Sequence, residues 1–407
     1  VDSAHNSGQY FWNKDVTPSL THFTNNGSIL VGGVVNLGHD MDRGYEVLIN
    51  NGTIEAYEVW LKSDSIEHAG HIKSQESIYM DAGSINFKEG FLSVTNSLFI
   101  TADNIKYNKQ TNRVTHHFVF DVANSIADAG DNSEVLLEVY EGIELIQKPK
   151  FGDLLGSKIR VVSTNYMRQV NYWPAEDRGA TTAGYKNNTA IGHLSLKHAK
   201  ARFPDDSSRI LFKNRTSEKH AVYVDYLEFE DYSQLEYDNA GLYFLEIDEN
   251  VTIYFAASNL NEEKLDGSLN GRLRWVGQYA GSFSSVPVYI GGLNRTVKIN
   301  RALRFSKIID SDDDGTANGY DISPVGDGVP NILNVHLEGD EAMSISIKWL
   351  VIPDSRYTIQ YKDDMGETQW KTLKEFYYSD NEIKHMDFKD RISNKDKARY
   401  YRIKYSG

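Results

Sequence analysis

The phrase Asn25-Asn26-Gly27-Ser28-Ile29 returns as Asn50-Asn51-Gly52-Thr53-Ile54, and this recurrence limits the folds open to the chain more than any other feature. Fainter echoes are Glu67-His68-Ala69-Gly70-His71-Ile72 and Lys88-Glu89-Gly90-Phe91-Leu92. The glycines at 27, 52, 70 and 90 stand 25, 18 and 20 residues apart. Self-similarity at such a period signals stacked supersecondary units. Asn and Gly tolerate the left-handed backbone of a sharp corner, and a short strand then follows. In the run from Gly52 to Leu61, Ile54, Ala56 and Glu58 fall on one side, and a slip then brings Val59 and Leu61 inward. Strands of successive coils pair in parallel around a stacked apolar column. An antiparallel sandwich with Asn-Gly hairpins is the competing reading, and the coil-like spacing favours the solenoid.

The expected fold is therefore all-β: a parallel β-helix over 21–305, preceded by an N-terminal arm or cap at 1–20. Residues from about 20 to 130 resemble the β-helical passenger repeats of filamentous-haemagglutinin-like adhesins and related bacterial surface proteins. The phrases that carry the resemblance are NNGTIEAYEVWLKSDSIEHAGHI and GFLSVTNSLFITADNI. The resemblance implies a right-handed parallel β-helix and an extracellular structural or adhesive role, without catalytic residues.

Charge and composition narrow the partners. Lys plus Arg number 43 and Asp plus Glu 57, a net charge of −14. An acidic chain repels phosphate backbones, which argues against nucleic acid and for divalent cations. The absence of cysteine excludes disulfides and thiolate metal sites. Residue 1 is Val, which reads as a chain whose signal peptide has been removed, with an engineered start as the alternative. No apolar run approaches the roughly 20 residues of a membrane span. The expected location is extracellular or at the cell surface.

From about 130 to 305 the corner phrase fades while strand character persists at 136–140, 220–229, 250–256 and 272–276. The solenoid is expected to continue there, with loops at 144–157, 171–190 and 258–271. One loop, Trp173 to Gly179, gathers Glu176, Asp177 and Arg178, and Tyr172, Lys197 and His198 could complete an acid–base set. Sugar-cleaving β-helices use carboxylate pairs for hydrolysis, or Lys, Arg or Tyr with calcium for elimination. The plainer reading is a charged loop closed by an internal salt bridge, with Trp173 covering the core. His116 and His117, adjacent in a strand-like run, are expected to point to opposite faces and to be ordinary.

The sharpest motif is DSDDDGTANGYD, from Asp310 to Asp321. Oxygen-bearing residues fall at positions 1, 3, 5, 9 and 12, with Gly315 at position 6. That spacing wraps a hard cation: Asp310, Asp312, Asp314, Asn318 and Asp321 supply side-chain oxygens and Thr316 its backbone carbonyl. Position 12 is Asp rather than the longer Glu, which weakens or reshapes the site. The motif resembles the aspartate-rich repeats of thrombospondin type 3 and dockerin-like loops, and implies bound calcium in a linker at 306–331. Asp327 and Asn331 could join the same ion or a second one.

Residues 332–407 change character. Strand-like runs arrive at 342–352, 356–362, 368–374, 383–388 and 398–405, and Tyr401, Ile403 and Tyr405 alternate with Arg402 and Lys404. The pattern predicts a small antiparallel β-sandwich, with Trp349 and Trp370 in its core. The phrases RYTIQYKDDMGETQWKTL and ARYYRIKY resemble fibronectin-III-like modules that terminate large bacterial surface proteins.

These features point to a structural protein: a filament, sheath or matrix subunit that self-associates into a homopolymer, or a surface adhesin. Tyr10, Phe11 and Trp12 are the candidate assembly arm, docking on a neighbour or capping their own helix. The alternatives are an enzyme acting on an acidic polysaccharide and a glycan-binding module without chemistry. A groove lined by Arg, Lys and Tyr would favour the enzyme, and solvent-exposed coplanar aromatics the binding module.

Overall fold

The structure, a computed structural model, describes residues 3–6, 8–12, 21–38, 44–128, 135–163, 168–198, 208–281, 283–290, 295–303, 305–309, 317–318, 332–338, 343–351, 355–364, 366–378, 384–392 and 399–406. Two long sheets of parallel strands build a solenoid of about ten coils. The expected parallel β-helix is present, and its coils are in register from the first residues onward.

The coils up to about residue 145 have three short strand segments, and the later ones place one strand in each of the two sheets. Val34–Leu37 pairs with Glu58–Leu61, while Tyr45–Asn50 pairs with Ser63–His68. The long strand Glu58–His68 is thus two segments joined at a bend, and the third is His71–Ser74. The bend explains the burial pattern. In Ile78–Phe87, Ile78, Met80 and Ala82 point inward, Gly83 and Ser84 both lie outside, and Ile85 and Phe87 point inward again. The same slip separates Ala102 from Ile105, and a bulge lengthens it by one residue between Val122 and Ile126. Stacking then makes continuous apolar columns. Val59, Ile78, Leu98, Phe118 and Ile143 form one, and Ile66, Ile85, Ile105 and Ile126 another. Each such side chain is almost fully buried and contributes about 1.5–3 kcal/mol relative to exposure.

The glycines of the repeat sit one above another at a corner. A Cβ on Gly27, Gly52 or Gly70 would lie 2.0 Å from the carbonyl oxygen of the glycine one coil earlier, and one on Gly90 would lie 2.3 Å from that of Gly70. Of these only Gly90 has a left-handed φ, of +141°. The expectation of left-handed corners is therefore corrected. Glycine is needed because the backbones of adjacent coils touch, and not for its handedness. Beside this column, buried Asn25 donates to Asn50 at 2.7 Å, and Asn50 lies 3.2 Å from His68 Nδ1. Outside it, Asn51 donates to Asn26 at 2.8 Å.

The segment expected as an arm belongs to this stack. Ser3–Asn6 pairs with His22–Asn25, and Gln9–Trp12 pairs with Ser28–Val31, both in parallel. Ser3–Asn6 and Gln9–Trp12 thus supply backbone rungs of this stack. At the other end the last rung is Leu273–Trp275. The strands Phe283–Ile290 and Arg295–Arg301 form a separate two-stranded sheet, so the regular coils stop before the expected boundary at 305. Leu260 and Leu265, in and beside the helix Glu262–Leu265, join the core near this end.

The C-terminal unit contains two three-stranded antiparallel sheets. One is Ile332–Glu338, Met343–Val351 and Lys384–Ile392; the other is Lys371–Tyr378, Ser355–Lys362 and Tyr400–Ser406. They share a core of Ile347, Trp349, Val351, Tyr357, Ile359 and Ile403. Trp349 is buried as expected. Trp370 is half-buried instead, between Lys362 and Arg402 at 5.0 and 4.4 Å from its ring.

Candidate functional site

The residues singled out for catalysis go to separate neighbourhoods. Glu176 accepts hydrogen bonds from Arg178 at 2.9 and 3.1 Å and lies 3.3 Å from Lys148. Arg178, and behind it Lys148, hold its carboxyl below the usual carboxylate range. Asp177 accepts from the Gly179 amide at 3.0 Å and from the Tyr254 hydroxyl at 2.7 Å. Trp173 is buried, its indole donating to the Thr189 carbonyl at 3.1 Å. Lys197 lies 3.3 Å from Asp231 and 3.8 Å from Glu230. His198 is buried against Phe244, with ring centroids 4.9 Å apart. The loop is closed by its own salt bridge, with Trp173 over the core, as the plainer reading expects.

His116 and His117 correct an expectation. The strand begins only at His117, so the two need not alternate. Both face Glu141, His116 at 2.6 Å and His117 at 3.8 Å. The Glu76, Asn96, His116 and Glu141 backbones stack as successive rungs of another corner.

Of the calcium loop, Asp310, Asp312, Asp314, Thr316 and Asp321 lie outside the described residues. Asn318 is described and buried, and its side-chain amide donates to the carbonyls of Ala302 and Leu303 at 2.7 and 3.1 Å. That anchors the loop's ninth position to the chain at 302–303. For Tyr10, Phe11 and Trp12 the backbone rung is described and the side chains are not.

One outer side of the solenoid carries a buried ionic network that no motif announced. Arg160 donates to Glu138 at 2.6 Å and grips Glu230 with two bonds at 2.7 and 2.9 Å. Ser195 also donates to Glu230 and Tyr140 to Glu138, while buried His193 lies 2.8 Å from Glu228. Asp225 is buried nearby on the same strand, and burial drives its carboxyl well above the ordinary value. The strand Tyr226-Leu227-Glu228-Phe229-Glu230 alternates as a half-solvated strand would, yet every residue in it is buried. The available signal was the matching of charges across coils, since Arg113, Glu138 and Arg160 stack in register.

The aromatic rings on the opposite sheet form a stack. Trp60 and Tyr79 lie 3.6 Å apart and Tyr79 and Phe99 4.9 Å apart, all nearly parallel. Their faces are occupied by one another, so they consolidate adjacent coils and present no open platform.

An open cleft of about 180 Å³ lies where three stacked strands end, at Leu145, Tyr172 and Lys213. Its lining includes the apolar Ile146 and Pro174 and the polar Asn214, Thr216 and His220. The Arg215 guanidinium lies 4.6 Å from the Tyr172 ring centroid and pairs with Glu144. His220 and Thr216 are 3.0 Å apart through Nε2 and Oγ1. Among the described residues, Lys213 has no ion-pair or hydrogen-bond partner on its ammonium group.

No helix among the described residues is long and apolar enough to cross a membrane. No protein-family model, no curated protein and no solved structure matches the chain.

Proposed function

We propose that the protein is a structural or adhesive component of a cell surface or extracellular matrix, without catalytic activity, whose Asp310–Asp321 loop holds calcium. One observation carries this reading: outward polar and aromatic side chains at several positions of the regular coils are committed to their counterparts one coil away. Asn51 bonds Asn26, Asn96 bonds Glu76, Lys88 bonds Glu67, and Trp60, Tyr79 and Phe99 stack. Such a surface stiffens a scaffold.

The competing reading, a polysaccharide-degrading enzyme, in its hydrolase form needs a carboxyl group that is protonated near neutrality at an open surface. Glu176, the exposed acid of the candidate loop, is shifted the other way by Arg178. Electron microscopy of the purified protein with calcium and then with chelator tests the proposal. Ordered assemblies that come apart in chelator are expected. Monomers in both conditions, together with shortening of a polysaccharide, would replace it with the enzyme reading.

A further inference from the structure

The cleft at the ends of the strands Gly142–Leu145, Arg168–Tyr172 and Arg209–Lys213 differs in charge from the chain around it. The protein carries a net charge of −14, yet Lys213, Arg215 and His220 converge here and the only acid pairing with them among the described residues is Glu144. Glu144 neutralises Arg215 and holds it on the Tyr172 ring. The Lys213 ammonium has no protein partner among the described residues. A half-buried lysine ordinarily pairs or extends its ammonium into water. This one borders a concavity that Ile146 and Pro174 also line.

We propose that this cleft binds one acidic sugar residue, with the ring carboxylate on Lys213 and the edge of Arg215 and the sugar's apolar face on Ile146 and Pro174. The inference rests on the surface-protein reading and names a ligand class for it. Size sets the stoichiometry. At about 180 Å³ the cleft is smaller than the roughly 300–1,000 Å³ of pockets for drug-sized ligands, so it takes a single residue and not a run of them. Polar groups for ring hydroxyls come from Thr216 and His220, which also line the cleft. Tyr172 contributes by fixing Arg215, since its face is already covered by the guanidinium. A lone site of this kind binds weakly, and strength on a surface comes from many copies meeting a repeating glycan.

The test is calorimetric titration of the full chain with glucuronate and galacturonate, and with glucose and galactose as neutral counterparts. Saturation-transfer NMR reads the same samples. Millimolar binding of a uronate, at least tenfold tighter than its neutral counterpart and weakened by raising NaCl from 50 to 500 mM, is the expected result. Lys213→Glu is expected to lower affinity at least tenfold and Lys213→Arg to retain it within about threefold. Because Lys213 has no described partner to lose, neither change should disturb folding, which circular dichroism checks. Three outcomes would each overturn the proposal: equal binding of neutral sugars, no loss in Lys213→Glu, or tighter binding of a short peptide through its free C-terminal carboxylate. None of them touches the surface-protein reading, which stands or falls on the calcium-dependent assembly.

Discussion

Between residues 45 and 128 the strands of the solenoid show one face to the core and one to water, whereas between 154 and 258 many strands are buried on both faces. Both regions use parallel coils and apolar inner columns. They differ in what joins one coil to the next on the outside. The first region repeats like on like along its corner and its ring stack, glycine over glycine, asparagine over asparagine, ring over ring, and its ion pairs, such as Lys88 with Glu67, are exposed. The second uses unlike partners, with Arg160 between Glu138 and Glu230 and His193 beside Glu228. A repeated contact tolerates the loss of one member, because its neighbours persist. A buried charge network does not, because each loss strands an opposite charge.

Replacing a corner glycine is the most severe test of the first region. Gly52→Val places Cβ 2.0 Å from the Gly27 carbonyl oxygen, and such overpacking against backbone is expected to prevent folding or to cost more than about 3 kcal/mol. Gly32→Ala, with open space around it, should change stability by less than about 0.5 kcal/mol. Urea unfolding of the two variants makes the comparison, and equal effects would refute the backbone-contact account.

Arg160→Met probes the second region. It leaves Glu138 and Glu230 buried without their main partner, at an expected cost of about 3–5 kcal/mol. Hydrogen exchange should place the loosening in peptides from 135–162 and 191–230 and leave 58–107 protected. Uniform loosening would show that the two regions unfold as one.

Protonation sharpens the contrast further. Burial holds His68 down to about 4, so the folded chain keeps it neutral while the unfolded chain protonates it near 6.5. The stabilising contribution is present above pH 6.5 and is lost as pH falls from there to about 4, on the order of 3 kcal/mol. His68→Asn extends the Asn25–Asn50 series by one coil and should remove that acid step from a stability–pH profile. Asp225 has the opposite sign. Its raised value means that the unfolded chain ionises first as pH rises above about 4, so stability falls with increasing pH. Asp225→Asn should match the wild type below pH 4 and exceed it at neutral pH. The smallest effect belongs to the exposed pair Lys88 and Glu67. Lys88→Ala is expected to cost no more than about 1 kcal/mol.

The two regions also differ in how well the sequence foretold them. The Asn-Asn-Gly phrase and the slip from Ala56 to Val59 were readable because a surface strand with a wet face must alternate. The C-terminal strands were readable for the same reason, apart from Ile332–Glu338, which no run predicted. Glu228 and Glu230 misled, since alternation says which side a residue faces and not whether that side is wet. The cleft was invisible for a different reason. Leu145, Tyr172 and Lys213 become neighbours only through coil register, and loops of unequal length hide that register from spacing. The loop at 173–179 was legible as a salt-bridged closure because its partners are local in sequence.

The glycine column has a consequence for how such a chain can change length. Gly52 fits only because Gly27 lies beneath it, and Gly70 only because Gly52 does. An insertion or deletion that moves the corner by even one position drives a side chain into the backbone of the adjacent turn. Within the stretch from Gly27 to Gly90, growth or shortening is therefore quantised: material enters or leaves as complete turns carrying their own glycine, or it bulges from a side away from that edge. A lineage of such proteins should vary in steps of one turn, and its alignments should drift everywhere except at this single seam.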